Sequence, residues 1–200
     1  MDGVSSMRKL IQIRIVHSPA DMGSMKDGLI EASIAKIGQE KWEENRKKIE
    51  NFWKEAEAEI DTLGLEYEKT RIYQDGLPCG GELGVRIVND TAEKGSRNYR
   101  IIKKLIAKGA TIEATENPQL LLKEYEFIKR LISAPSEKER AEAVHQYERA
   151  KSSLIEERDR FIAKTIDATL KDGETGILFI GADHDVVSKL PEGVEVKKLD

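Results

Sequence analysis

Apolar and polar residues alternate along residues 9–16, KLIQIRIV, and the alternation stops at His17-Ser18-Pro19. A period of two predicts a strand with one face on a core, and Pro19 helps to end it. From residue 26 to 63 the period changes. Ile30, Ile34 and Ile37, then Trp42, Ile49, Trp53, Ala56, Ile60 and Leu63, recur at helical steps and form one stripe on a long helix. Gly38 is a break within it and Gly64 a stop. Residues 70–73 are a second strand, ending in Gln74-Asp75-Gly76. The glycine-rich LPCGGELG then feeds a helix over 83–108, with Gly95-Ser96 as a point for a kink and Gly109 as its end. A third strand over 110–114 runs into Thr115-Glu116-Asn117-Pro118. Pro118 opens the next helix, with Leu121, Tyr125, Ile128 and Ile132 on one face.

Ser-Ala-Pro at 133–135 interrupts the pattern. Ser136 with Glu139 has the spacing of a capping box, and so has Ser153 with Glu156. Residues 136–170 are therefore one helix of roughly 50 Å, from 1.5 Å rise per residue, or two helices meeting near Ser152. After Lys171-Asp172-Gly173 comes TGILFIGADHDVV, 175–187. Its apolar run has no helical spacing and reads as a strand buried on both faces. A last strand over 194–197 follows Pro191-Glu192-Gly193. With helices between the strands, right-handed crossovers give an α/β fold. The expectation is a mostly parallel sheet of four or five strands in a single domain, residues 1–200, with helical insertions at about 26–63 and 119–152. The surplus helix over 42–63 is expected to pack on the helix over 137–151 or on a second subunit, as a homodimer seam.

Composition narrows the function classes. The 200 residues carry a formal net charge of −4, with 35% charged residues. A general nucleic-acid binder needs a net basic face, and no apolar run approaches the ~20 residues that span a bilayer. The start, MDGVSSMRKL, has no apolar signal-peptide core. Cys79 stands alone, which leaves no intramolecular disulfide and no cysteine-based zinc site. A cytoplasmic protein is expected, without nucleic-acid or membrane partners.

Parallel strands bring their carboxyl ends to one edge, where ligands bind in such sheets. His17 follows the first strand, Gln74 and Asp75 the second, Glu116 the third, and Asp183 and His184 the fourth. Two histidines with carboxylates suit a divalent metal, zinc or manganese, or an acid–base pair acting on a water. Polar strand ends also arise simply because Asp and Ser cap the following turn. Arg158, on the helix before the fourth strand, is placed to aim a guanidinium at the same edge. A different site is offered by GLPCGGELG, whose backbone N–H groups at Gly80 and Gly81 could cradle an anion together with Arg97 and Arg100. That loop matches neither GxxxxGK[ST] nor GxGxxG. His145 lies in a polar helical stretch and reads as solvated.

Residues 154–199 resemble the closing segment of the TraB/GumN/Tiki superfamily. Glu157, Arg158 and Asp159 match its E-R-N/D helix pattern, and Gly181, Ala182, Asp183 and His184 match its Gly-x-x-His motif. The opening strand of that family ends in a second Gly-x-x-His. Here His17 matches the histidine, Arg14 stands where the glycine would be, and Gln74-Asp75 stands where a strand-two carboxylate is expected. The resemblance implies a metal-assisted hydrolase of small or peptide-like substrates. His17 and His184 would be ligands, Asp75 or Glu116 a further ligand or base, and Arg158 an electrostatic stabiliser. The alternatives are a non-catalytic module for an anionic small molecule, using Arg97, Arg100 and Arg158, and a homodimeric scaffold with a vestigial site.

Overall fold

The computed structural model describes residues 7–16, 21 and 26–199. Its centre is a five-stranded sheet in which every pairing is parallel, in the order β3-β2-β4-β1-β5. The strands are β1 (Arg8–Ile15), β2 (Thr70–Gln74), β3 (Thr111–Ile112), β4 (Thr175–Gly181) and β5 (Val194–Leu199). The apolar run of β4 takes the middle of the sheet. Ile177, Leu178, Phe179 and Ile180 are all fully buried there, because β2 flanks one side and β1 the other.

Alternate residues of β4 serve two cores. Ile177 and Phe179 join Ile11, Ile13 and Ile72 on one face. That face is covered by α2 (Gln39–Asp61), α3 (Gly81–Glu93) and α4 (Arg97–Ala107). Leu178 and Ile180 join Leu10 and Tyr73 on the other, against Ile162, Ala163 and Ile166 of α6 (Glu137–Thr169). The remaining helices are α1 (Lys26–Ile37), which reaches α5 where Gly28 approaches Ile132, and α5 (Pro118–Ser133) itself. Among the described residues no helix is long and apolar enough to cross a membrane.

Several boundaries differ from the sequence expectation, each for a local reason. The stretch over 83–108 is two helices and not one kinked helix. Gly95 sits at φ 106°, and the Ser96 hydroxyl accepts from Tyr99 N to cap α4. Residues 136–170 form one continuous helix. The Ser136–Glu139 box closes at its start, at 2.6 Å between side chains, whereas Ser153 spends its hydroxyl on Glu157 inside the helix. Gly38, at φ 82°, does separate α1 from α2. The apolar stripe of α2 has a different partner from the one expected. Trp53 and Ile60 are buried in the sheet core beside Tyr99, Ile102 and Leu105, and the Trp53 indole donates to the Val16 carbonyl at 3.3 Å. The helix over 137–151 packs on α5 instead.

Candidate functional site

Site chemistry collects where the sheet order predicts, at the carboxyl ends of β2 and β4. Asp75, the residue after β2, extends the ladder through its N–H to the Phe179 carbonyl at 2.9 Å. Its carboxylate turns across the sheet, where Oδ2 accepts from Gly181 N at 3.0 Å. Gly76 at φ 78° then reverses the chain. After β4, the turn Gly181-Ala182-Asp183-His184 closes with His184 N on the Gly181 carbonyl at 3.3 Å. That turn folds the imidazole back over the strand end, 7% exposed.

The partners of these groups come from α6. Leu154, Arg158, Ile162 and Ile166 recur every four residues on the buried face of that helix. Arg158 therefore projects into the same layer as the apolar residues, at the level of the strand ends. Its Nη2 donates to Asp75 Oδ1 at 2.6 Å and also to Glu116, its Nε reaches the two Glu116 oxygens at 3.2 and 3.3 Å, and its Nη1 donates to Glu124 Oε2 at 2.5 Å. Asp159, one position on, lies beneath His184. Nδ1 of the imidazole donates to Asp159 Oδ1 at 2.5 Å, and Asp159 Oδ2 accepts from Asp185 N at 2.8 Å.

Three carboxylates around one guanidinium set the electrostatics. Arg158 is held charged: burial opposes the charge, but the Glu116 hydrogen bond and the surrounding acids outweigh it. Burial pushes the Glu116 carboxyl up against the pull of Arg158, and the Asp75 charge adds to the push. For His184, burial disfavours the imidazolium, yet the hydrogen bond to Asp159 and the charge of Asp75 prevail and raise its pKa above the ordinary value. Nε2 of His184 stands 3.8 Å from Asp75 Oδ2, which is beyond direct hydrogen bonding and within the span of one bridging water.

Asp75, Glu124, Arg158 and His184 line a cavity of about 520 Å³. Its floor is Gln74, Asp75, Gly181 and His184. Its walls are Leu121, Glu124, Tyr125 and Ile128 of α5 and Tyr147, Lys151, Ile155 and Arg158 of α6. The Tyr147 hydroxyl donates to Glu124 Oε1 at 3.2 Å, and burial pushes its pKa up to about 12. Lys151 pairs with Asp183 at 2.7 Å across the rim.

Of the expected residues, Asp75, Glu116, Arg158 and His184 meet here. Asp183 is at the rim, paired with Lys151. His17 lies outside the described residues. Gly80, Gly81, Arg97 and Arg100 do not line this cavity. Arg97 pairs with Glu50 at 2.7 Å, Arg100 donates to the Ala92 carbonyl at 3.3 Å, and Gly80 packs its Cα against the β3 backbone. His145 is exposed, and Cys79 is half-buried in its loop. Asp159, Glu124, Tyr147 and Lys151 were not expected at the site. Asp159 carried a signal: a charge beside Arg158 at the middle of an apolar i, i+4 row has to be paired or solvated.

A divalent metal requires several donors around one point. Here the carboxylates of Asp75, Glu116 and Glu124 are wrapped around a guanidinium. Among the described residues no group of three His, Cys, Asp or Glu side chains is arranged to hold a metal. The fold and site define an α/β protein with an all-parallel sheet and a buried His–Asp pair at its carboxyl edge. Comparison with family models, with curated proteins and with solved structures found no match to this chain.

Proposed function

We propose that this chain is a hydrolase-like enzyme acting on a small molecule in the strand-end cavity, with His184 as its general acid–base. The observation that carries this reading is the buried 2.5 Å contact between His184 Nδ1 and Asp159 Oδ1 on the cavity floor. A carboxylate on Nδ1 fixes the tautomer and leaves Nε2 as the atom that exchanges protons. A water between Nε2 and Asp75 Oδ2 would be polarised by both groups. Neutral His184 takes a proton from that water as it attacks, and the resulting imidazolium returns the proton to the leaving group. Arg158 locks Asp75 and Glu116 in place and supplies a positive charge beside the developing anion. The resemblance of residues 154–199 to the TraB/GumN/Tiki superfamily supports the same class of reaction.

Because the raised pKa keeps His184 protonated to higher pH, a rate that depends on its base form rises with pH through that pKa. The test is turnover of a panel of chromogenic esters and anilides by the wild type and by His184→Gln. General acid–base catalysis contributes about 10²–10⁴-fold, so a loss of that size with retained folding is expected. Equal rates in the two proteins would remove the proposal. Titration with zinc and manganese separates the metal-assisted form: a metal-dependent rate abolished by His17→Ala would assign His17 and His184 to holding a metal.

A further inference from the structure

We propose that β5 is the contact strand of a homodimer, in which two copies of this chain join edge to edge and continue the sheet through an antiparallel β5–β5 pair. The two edges of the sheet are built differently. β3, at one edge, is two residues long. β5, at the other, runs for six residues, Val194–Leu199, and its strand partner is β1 alone. Alternate residues of a strand turn both N–H and C=O away from that partner, and among the described residues β5 makes no backbone bond on its outer side. A free edge of this length is a template for another strand. The inference is independent of the hydrolase reading, since no residue of β5 lines the strand-end cavity.

The side chains name the occupant. Glu195, Lys197 and Leu199 share the α2 face of the sheet, where Leu199 is buried beside Ile13, and Val194, Val196 and Lys198 share the α6 face. A two-fold axis normal to the sheet makes the new pair antiparallel and keeps each face continuous, so opposed residues come from the same face. Centring that axis on Val196 sets Glu195 opposite the partner's Lys197, twice by symmetry. It also lays the alkyl stem of Lys198 along the partner's Val194. Glu195 and Lys197 are exposed, and among the described residues neither has an ion pair within the chain. Sliding the axis by one residue is repulsive in both directions: centred on Glu195 it opposes two glutamates, and centred on Lys197 two lysines. The strand is thus self-complementary in one register, as an isologous contact requires. Leu199 also borders a small notch with Phe52 and Ala56 of α2, both half-buried, which leaves apolar surface beside the same strand.

The test is sedimentation equilibrium of the full chain at concentrations up to about 1 mM. The wild type is expected to form a dimer and nothing larger, because the contact closes on itself. Glu195→Lys and Lys197→Glu each set like charges opposite one another at two places. Each should weaken the dimer about tenfold, from cross-strand pairs worth about 0.2–1 kcal/mol apiece. Both positions are exposed, and circular dichroism checks that the variants keep the fold. The double variant, with both charges exchanged, should regain the wild-type affinity. An equimolar mixture of the two single variants should form a heterodimer, since each strand then carries the complement of the other. A wild type that stays monomeric throughout, or that grows beyond a dimer, would overturn the proposal. So would a dimer indifferent to both single substitutions, or one that neither the double variant nor the mixture restores.

Discussion

Nδ1 of His184 and Oδ1 of Asp159 lie 2.5 Å apart across 25 positions of sequence, one group in the turn after β4 and the other on α6. The second oxygen of Asp159 accepts from Asp185 N. One carboxylate thus fixes both the ring and the backbone of the turn that carries it.

The charge state of His184 follows from that contact. Its pKa is raised from about 6.5, since burial is outweighed by the Asp159 hydrogen bond and the Asp75 charge. The folded state therefore binds this proton more tightly than the unfolded chain does. The stabilisation is complete below about pH 6.5 and is lost as pH rises through the higher folded value. NMR titration of the imidazole should report a midpoint above 6.5, and Asp159→Asn should lower it. A midpoint below 6.5 in the wild type would contradict the arrangement.

Arg158 is the group whose removal should cost most. Its side chain is 5% exposed and faces Asp75, Glu116 and Glu124. Breaking a buried ion pair by deleting one partner typically costs about 3–5 kcal/mol, and three acids would be left facing one another. Arg158→Met should lose that much stability by urea denaturation. Arg158→Lys should lose less, because the charge survives and only the forked geometry is lost.

The two tryptophans should separate cleanly. Trp53 is 1% exposed in the sheet core, and Trp42 is half-buried near the start of α2. Trp53→Ala should cost about 3–5 kcal/mol, as large-to-small core changes do, and Trp42→Ala well under half of that. Thermal denaturation followed by circular dichroism measures both. Similar losses would show that the α2 stripe is covered along its whole length.

Gly84 is required by a close approach in the first turn of α3. A Cβ there would stand 2.5 Å from the Cys79 carbonyl oxygen, closer than any unstrained contact. Gly84→Ala should shift the LPCGG loop and lower the melting temperature, although alanine is the better helix former. An unchanged melting temperature would mean that the loop yields freely.

The parts of the fold that were legible in the chain are those set by period and punctuation. The apolar run at 177–180 marked the central strand, and helices between strands required crossovers that make neighbours parallel. The two helices in place of a kinked one at Gly95-Ser96 were less legible, because a serine that caps and a serine that sits inside a helix look alike in sequence. The single α6 was left open for the same reason at Ser153. At the site, Asp75, Glu116 and His184 were visible as polar strand ends. Asp159 and Glu124 were hidden among the charges of helices where most acids face water. Only the rotation of α6 and α5 relative to the sheet tells the buried acids from their exposed neighbours Glu157 and Glu126. Part of the α2 stripe, Trp53 and Ile60, covers the sheet because the sheet itself had a face left to cover.

The unbroken run of α6 has an architectural consequence. Ile162 and Ile166 anchor it to the sheet, Arg158 and Asp159 hold the strand ends, and Tyr147 and Lys151 wall the cavity, all on one rod. Toward its N-terminus, before Tyr147, the rod packs on α5. Matched insertions of whole turns in α5 and α6 near residues 133–139 would therefore lengthen the arm without rotating any wall residue, whereas an unmatched insertion between Tyr147 and Arg158 would swing the outer wall by about 100° per residue. Arm length is thus uncoupled from the cavity, whereas helical phase is not.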